Sequence, residues 1–200
     1  MKGLRLVPVV VGAAVLALGA AGPTTSEDYA YSTYREMGDR LTVLVDSYAA
    51  ALHDDDPYIP LSVAVGLSGP GKSVLVTPES FTLLDQDGRA HNPASYQEIA
   101  SNYPKRQFDA LLMRSYPIVV GSQFSTSLRL AADFYPTMAG RGIRIDRVEL
   151  GPFTWFHTVL YFPRPQAGLE GVLTLRISGG GEPPIDVRFR IPRVVGGRES

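Results

Sequence analysis

The sequence predicts a mainly β fold: an antiparallel β-sandwich carrying a short, partly helical insertion at about 92–136. Three observations predict it. Val172 to Ile177 and Ile185 to Ile191 alternate apolar and polar residues with a period of two, as strands with one wetted face do. Ser80 to Leu84 ends in the turn-forming run Asp85-Gln-Asp-Gly88. Finally, Phe153 to Phe162 is an aromatic and β-branched run of strand length.

The elements follow in chain order. Met1 to Gly22 has a basic start (Lys2, Arg5), an uncharged apolar run from Leu6 to Ala20 and then small residues, the layout of a secretory signal cut near Ala21. The apolar run of about 15 residues is shorter than the roughly 20 that span a bilayer. The alternative is an uncleaved membrane anchor; either way the rest of the chain is expected outside the cytoplasm, periplasmic or secreted. Residues 23–40 form a lead-in. There Tyr34, Met37, Leu41, Leu44, Tyr48 and Leu52 recur at helical spacing, and Thr33 with Glu36 could form a capping box, yet Leu41 to Val45 is rich in β-branched residues. The reading adopted is a helical or irregular lead-in followed by a strand at about 41–48.

The sandwich is expected over 41–193. Leu61, Val63 and Val65 share one face of a strand, and Ser73 to Thr77 forms the next. In Ser80 to Asp85, Phe81 and Leu83 point into the core, with Thr82 and Leu84 on the opposite face. Within the insertion, Ser95 with Glu98 caps one short helix and Pro104 opens another running through Met113. Tyr116 to Pro136 reads as loop with a strand near Leu128, and Ile143 to Leu150 returns to alternation. The tail 194–200 is expected to be disordered.

Composition narrows function. Of 19 basic residues only Lys2, Lys72 and Lys105 are lysines; without Lys2 and Arg5 the chain has 17 basic against 20 acidic residues, net −3. No basic cluster exists to displace counterions from phosphates, which argues against nucleic acid. The absence of cysteine excludes disulfides, thiol catalysis and cysteine-ligated metals.

One motif asks for a decision. Gly66-Leu-Ser-Gly-Pro-Gly-Lys72-Ser73 matches the phosphate-binding P-loop pattern and follows an apolar strand, with Asp85 or Asp46 as the carboxylate that would complete a magnesium site. A P-loop works because a helix starts at its Lys-Ser. Here Val74-Leu-Val-Thr-Pro78 follows, a β-branched run ended by proline, which denies that helix. The stretch is expected to be a hairpin joining Leu61–Leu67 to Ser73–Thr77, and no nucleotide is expected.

Other candidates are weaker. His53-Asp54-Asp55-Asp56 lacks the spacing of a calcium loop and reads as a solvated loop. His91 and His157 are the candidate general bases, although no metalloprotease or nucleophile-elbow motif accompanies them. His157, between Trp155 and Val159, reads as a packed strand residue. Trp155, Phe156, Tyr161, Phe162, Phe134 and Tyr135 read as core rather than as a recognition surface.

Three stretches, Tyr58-Ile-Pro-Leu-Ser-Val-Ala-Val, Ser80-Phe-Thr-Leu-Leu-Asp-Gln-Asp-Gly-Arg and Val159-Leu-Tyr-Phe-Pro-Arg-Pro, resemble the immunoglobulin-like domains of exported bacterial proteins. The match covers about half the chain, and the Gly-Pro-Gly turn departs from it. The resemblance implies an immunoglobulin-like sandwich and supplies no catalytic residue. The function expected is therefore a non-catalytic exported envelope or secreted module with a binding or structural role, its partner a protein or cell-surface component. The alternative is an exported hydrolase with His91 or His157 as base. No catalytic, cofactor or metal residue is assigned.

Overall fold

The computed structural model describes residues 32–53, 55–112, 121–137 and 144–192; the expected signal at 1–22 and tail at 194–200 lie outside them. The chain is mainly β, with sheets packed face to face and a helical insertion. A five-stranded sheet has the order β1 (Thr33–Met37), β2 (Leu41–Asp46), β3 (Tyr58–Leu67), β9 (Thr154–Pro163), β7 (Leu128–Arg129). A four-stranded sheet runs β11 (Glu182–Phe189), β10 (Leu173–Gly179), β5 (Phe81–Leu84), β6 (Ala90–His91). A two-stranded sheet pairs β4 (Val74–Val76) with β8 (Val148–Leu150).

The alternation decides which faces meet. Leu173, Leu175 and Ile177 of β10 and Ile185, Val187 and Phe189 of β11 are buried, whereas Arg176 and Asp186 pair outside through two bonds of 2.7 Å. Phe81 and Leu83 are fully buried as the period predicts, while Thr82 and Leu84 are half-buried. Opposite them lie Val43, Val63, Val65, Phe156 and Leu160 of the larger sheet, in the same core. The six aromatic residues expected in the core are all buried.

β3 is central: all ten of its residues are buried, because its second face is also covered. There Leu44, Ala64, Phe124 and Trp155 make a smaller apolar cluster, with the Phe124 ring stacked 5.0 Å from Trp155. The close approach is possible because a Cβ at Gly66 would run into the Phe124 ring.

Two expectations change. The hairpin between Leu61–Leu67 and Ser73–Thr77 does not form. Both edges of β3 are taken, by β2 and β9, and β4 pairs with β8 in a different sheet. The Gly-Pro-Gly segment is a crossing between sheets, with Gly69 and Gly71 at φ +83° and +138°. It is tied back by Ser68 N donating to the Arg40 carbonyl (2.8 Å) and Arg40 Nη2 to the Lys72 carbonyl (2.6 Å). Over its described residues, from 32 onward, the lead-in holds a strand and not a helix: β1 pairs with β2 from Thr33↔Asp46 to Met37↔Thr42. The Thr33 hydroxyl, expected as a cap, donates instead to Asp46 Oδ2 at 2.6 Å. Asp46 Oδ1 accepts from Tyr48 N (2.9 Å), an Asx-type turn that leads into α1 (Tyr48–Ala51).

The insertion is as read over most of its length. Ser95 Oγ accepts from Glu98 N at the start of α2 (Tyr96–Asn102), and α3 (Arg106–Leu112) follows Pro104. The strand near Leu128 is β7, parallel to β9. Met113, residues 116–120 and Ile143 lie outside the described residues.

Candidate functional site

Strand β9 organises both candidate sites because each of its faces and its far edge carries a different attachment. Along that edge, Ala94 N donates to the Tyr161 carbonyl (2.8 Å), and Phe134 N donates to the Thr158 hydroxyl (3.3 Å). The Tyr135 hydroxyl donates to the Ala94 carbonyl (2.6 Å), and burial raises its pKa, so it remains a donor. Tyr135 N donates to Asp133 Oδ1 (2.9 Å), which also accepts from Thr158 Oγ1 (3.2 Å). Two segments far apart in sequence are thereby fixed to one strand and to each other.

Between them and the short turn at Pro78–Ser80 lies a cleft of about 260 Å³. Glu79, Asn92, Tyr96, Tyr135, Arg144 and Asp146 line it. The Arg144 guanidinium lies 5.1 Å over the Tyr96 ring and bonds to Asp146 (2.6 Å), with Arg106 of α3 at 5.9 Å from the same ring. Ser95, the one hydroxyl nucleophile type in this lining besides tyrosine, is occupied in capping α2. Nothing in the sequence pattern grouped these residues; they converge from four separate segments, each with a different local role.

The predicted bases are elsewhere. His91 Nε2 lies 2.9 Å from Asp85 Oδ2 at the base of the β5–β6 turn. The same carboxylate accepts from the backbone of Asp87 (3.0 Å) and Arg89 (2.9 Å). The bond to His91, with those amides, holds Asp85 below its ordinary carboxylate pKa against the opposing effect of burial. His91 thus completes a turn.

His157 Nε2 lies 2.6 Å from Ser62 Oγ across β9 and β3, among the described residues the one histidine–serine contact with nucleophile–base geometry. Ser62 has no exposed surface. Burial, with the Arg129 cation nearby, pulls the His157 imidazole down to about 4. A carboxylate is close in register, since Asp46 stands opposite Ser62 on β2. It lies on the far side of the serine from the histidine, so the order across the sheet is acid, serine, histidine. A catalytic triad needs the histidine in the middle, oriented by the acid. Ser62 was missed in the sequence, where a polar residue inside an apolar strand is the only mark it leaves, and Asp46 was considered only as a carboxylate for the P-loop look-alike.

The His53–Asp56 stretch is the clear correction. Asp55 is exposed, as a solvated loop requires, and Asp54 lies outside the described residues, but His53 is 3% exposed, and its ring nitrogens lie 2.7 Å from Asp109 Oδ1 and 2.7 Å from Asp56 Oδ2. The first contact is a formed hydrogen bond; the second has ion-pair distance without hydrogen-bond alignment. Lys105 reaches Asp56 at 2.7 Å, and Arg164 donates to the His53 and Asp56 carbonyls. Asp109 of α3 is wholly buried, which raises its pKa, while His53 and the facing hydroxyls of Tyr103 and Tyr161 work in the other direction. The expectation failed because the partner carboxylate comes from a helix 56 residues away. Among the described residues, no group of three or more acidic or histidine side chains is arranged to hold a metal ion.

Comparison with protein-family models, curated proteins and solved structures finds no match to this chain.

Proposed function

We propose that this chain is a non-catalytic, extracytoplasmic module of immunoglobulin-like type that binds a ligand or partner without converting it. The observation that carries this reading is where its reactive side chains are spent. His53 bridges two carboxylates under α3, His91 closes a turn, and His157 faces a serine with no exposed surface. None of the three lines the cleft, whose walls are instead pre-formed by bonds to β9. The compartment rests on the basic, apolar, small-residue order of residues 1–22.

The rival hydrolase has one observation in its favour, the 2.6 Å contact between Ser62 and His157. Against it stands the imidazole at about 4, too weak a base for work near neutral pH, where an effective base titrates close to the operating pH. Treatment with a fluorophosphonate serine probe, followed by peptide mass spectrometry, tests the reading. Ser62 is expected to stay unmodified under native conditions. An adduct at Ser62 that disappears in His157→Ala would overturn the non-catalytic reading in favour of the hydrolase.

A further inference from the structure

The cleft between the insertion and the Pro78–Ser80 turn has a chemistry of its own. Its charges are of both signs and close together: Glu79 and Asp146 against Arg144, with Arg106 behind Tyr96. A bare anion entering would meet two carboxylates, and a bare cation would meet the guanidinium. Neither is favoured. Arg144 is held from both directions, its face on Tyr96 and one edge nitrogen on Asp146, which leaves its remaining N–H donors fixed in direction. Glu79 and Asn92 make no side-chain hydrogen bond or ion pair among the described residues, so a carboxylate acceptor and an amide that both donates and accepts stand open at the rim. Pro78, Pro93 and Ala94 supply apolar surface beside them.

A carboxylate, an amide and a fixed guanidinium beside small apolar groups match a neutral ligand dense in hydroxyls, with C–H groups on its other face. We propose that this cleft binds a single sugar ring, either free or at the end of a glycan chain. The volume fits one ring: about 260 Å³ is below the roughly 300–1,000 Å³ of sites for larger ligands. The Ala94 and Phe134–Tyr135 walls are bonded to β9 and to each other, which lowers the ordering cost of binding there. The inference deepens the binding-module reading and rests on it, but its test is separate from the serine probe.

The test is an amide NMR titration of the full chain with N-acetylglucosamine, its trimer, inorganic phosphate and spermidine. The sugar is expected to bind in the millimolar range, with shifts concentrated at 78–79, 92–96, 134–135 and 144–146. Glu79→Gln and Asn92→Ala should each weaken it by about tenfold, one decade of the dissociation constant. Both side chains are exposed, so the melting curves of the variants should match the parent, and a loss of binding reports the site. Equal affinity for monomer and trimer supports a single ring, free or at a chain end; much tighter binding of the trimer would mean that several rings are engaged and overturns the single-ring proposal. No shift at the cleft with either sugar overturns the proposal, as does cleft binding of phosphate or spermidine in place of sugar. Sugar binding that survives both substitutions places the site elsewhere and also overturns it.

Discussion

Gly66 stands opposite Trp155 across β3 and β9, and the Phe124 ring fills the place where a Cβ would be. Gly71 has a left-handed backbone and the Arg40 guanidinium 2.8 Å from where its Cβ would sit, while Lys72 contributes its carbonyl to that same arginine. The two fixed glycines of the P-loop look-alike thus have packing reasons, and the exposed Lys72 side chain has none. Gly66→Ala should destabilise by about 1–3 kcal/mol through overpacking. Lys72→Ala should stay within about 0.5 kcal/mol of the parent. Denaturant melts compare the two; equal effects would refute the packing account. The same assay applies to Phe81, which has no exposed surface. Phe81→Ala should cost about 3–5 kcal/mol, and Thr82→Ala, half-buried on the other face, under about 1 kcal/mol. The facing of Phe81 and Leu83 was legible because period two needs only neighbouring residues. The crowding at Gly66 was not, since Phe124 arrives from a segment more than fifty residues on.

At the level of elements, α3 is fastened by one buried pair, His53 to Asp109. His53→Ala leaves the Asp109 carboxylate buried beside Tyr103 and Tyr161 without its bond to the imidazole. The expected loss is about 3–5 kcal/mol, typical of breaking a buried pair from one side. Hydrogen exchange should show amide protection falling first in Arg106–Leu112. Unchanged protection there would mean the helix is held by other contacts. The strands and helix caps around it were legible: the alternation of β10 and β11, the Ser95 cap, the turn at Asp85–Gly88 and the segment of β9 are local signals. Strand partners were not. The motif at 66–73 looked like a hairpin because two β-runs flanked a glycine turn, and only the occupation of both edges of β3 decides otherwise. The lead-in was misread for a related reason. Its three-and-four spacing is real, but strand pairing with Leu41–Asp46 outweighed a helix interrupted at Gly38.

For the whole molecule, the titrating groups predict a direction of acid sensitivity. The His157 imidazole is lowered from 6.5 to about 4, so the folded state favours its neutral form. Its contribution is full above 6.5 and is lost as the pH falls toward 4, because the unfolded chain binds the proton first. Asp85 is also lowered, so its contribution is present above its ordinary carboxylate range and is lost on further acidification. Stability should therefore decline in two stages on acidification. His157→Gln should flatten the first and Asp85→Asn the second, as read from denaturation midpoints across pH. A first stage unchanged in His157→Gln would assign it to another group.

On the proposed reading, the serine and histidine facing each other across β3 and β9 belong to the packed interior rather than to a reaction. A pH titration of the His157 ring by NMR in the intact protein decides between the two. The midpoint expected is near 4, with the ring neutral at pH 7 and its Nε2 accepting from Ser62. A midpoint close to neutrality, between about 6 and 7.5 as suits a general base, would refute the packed-interior reading.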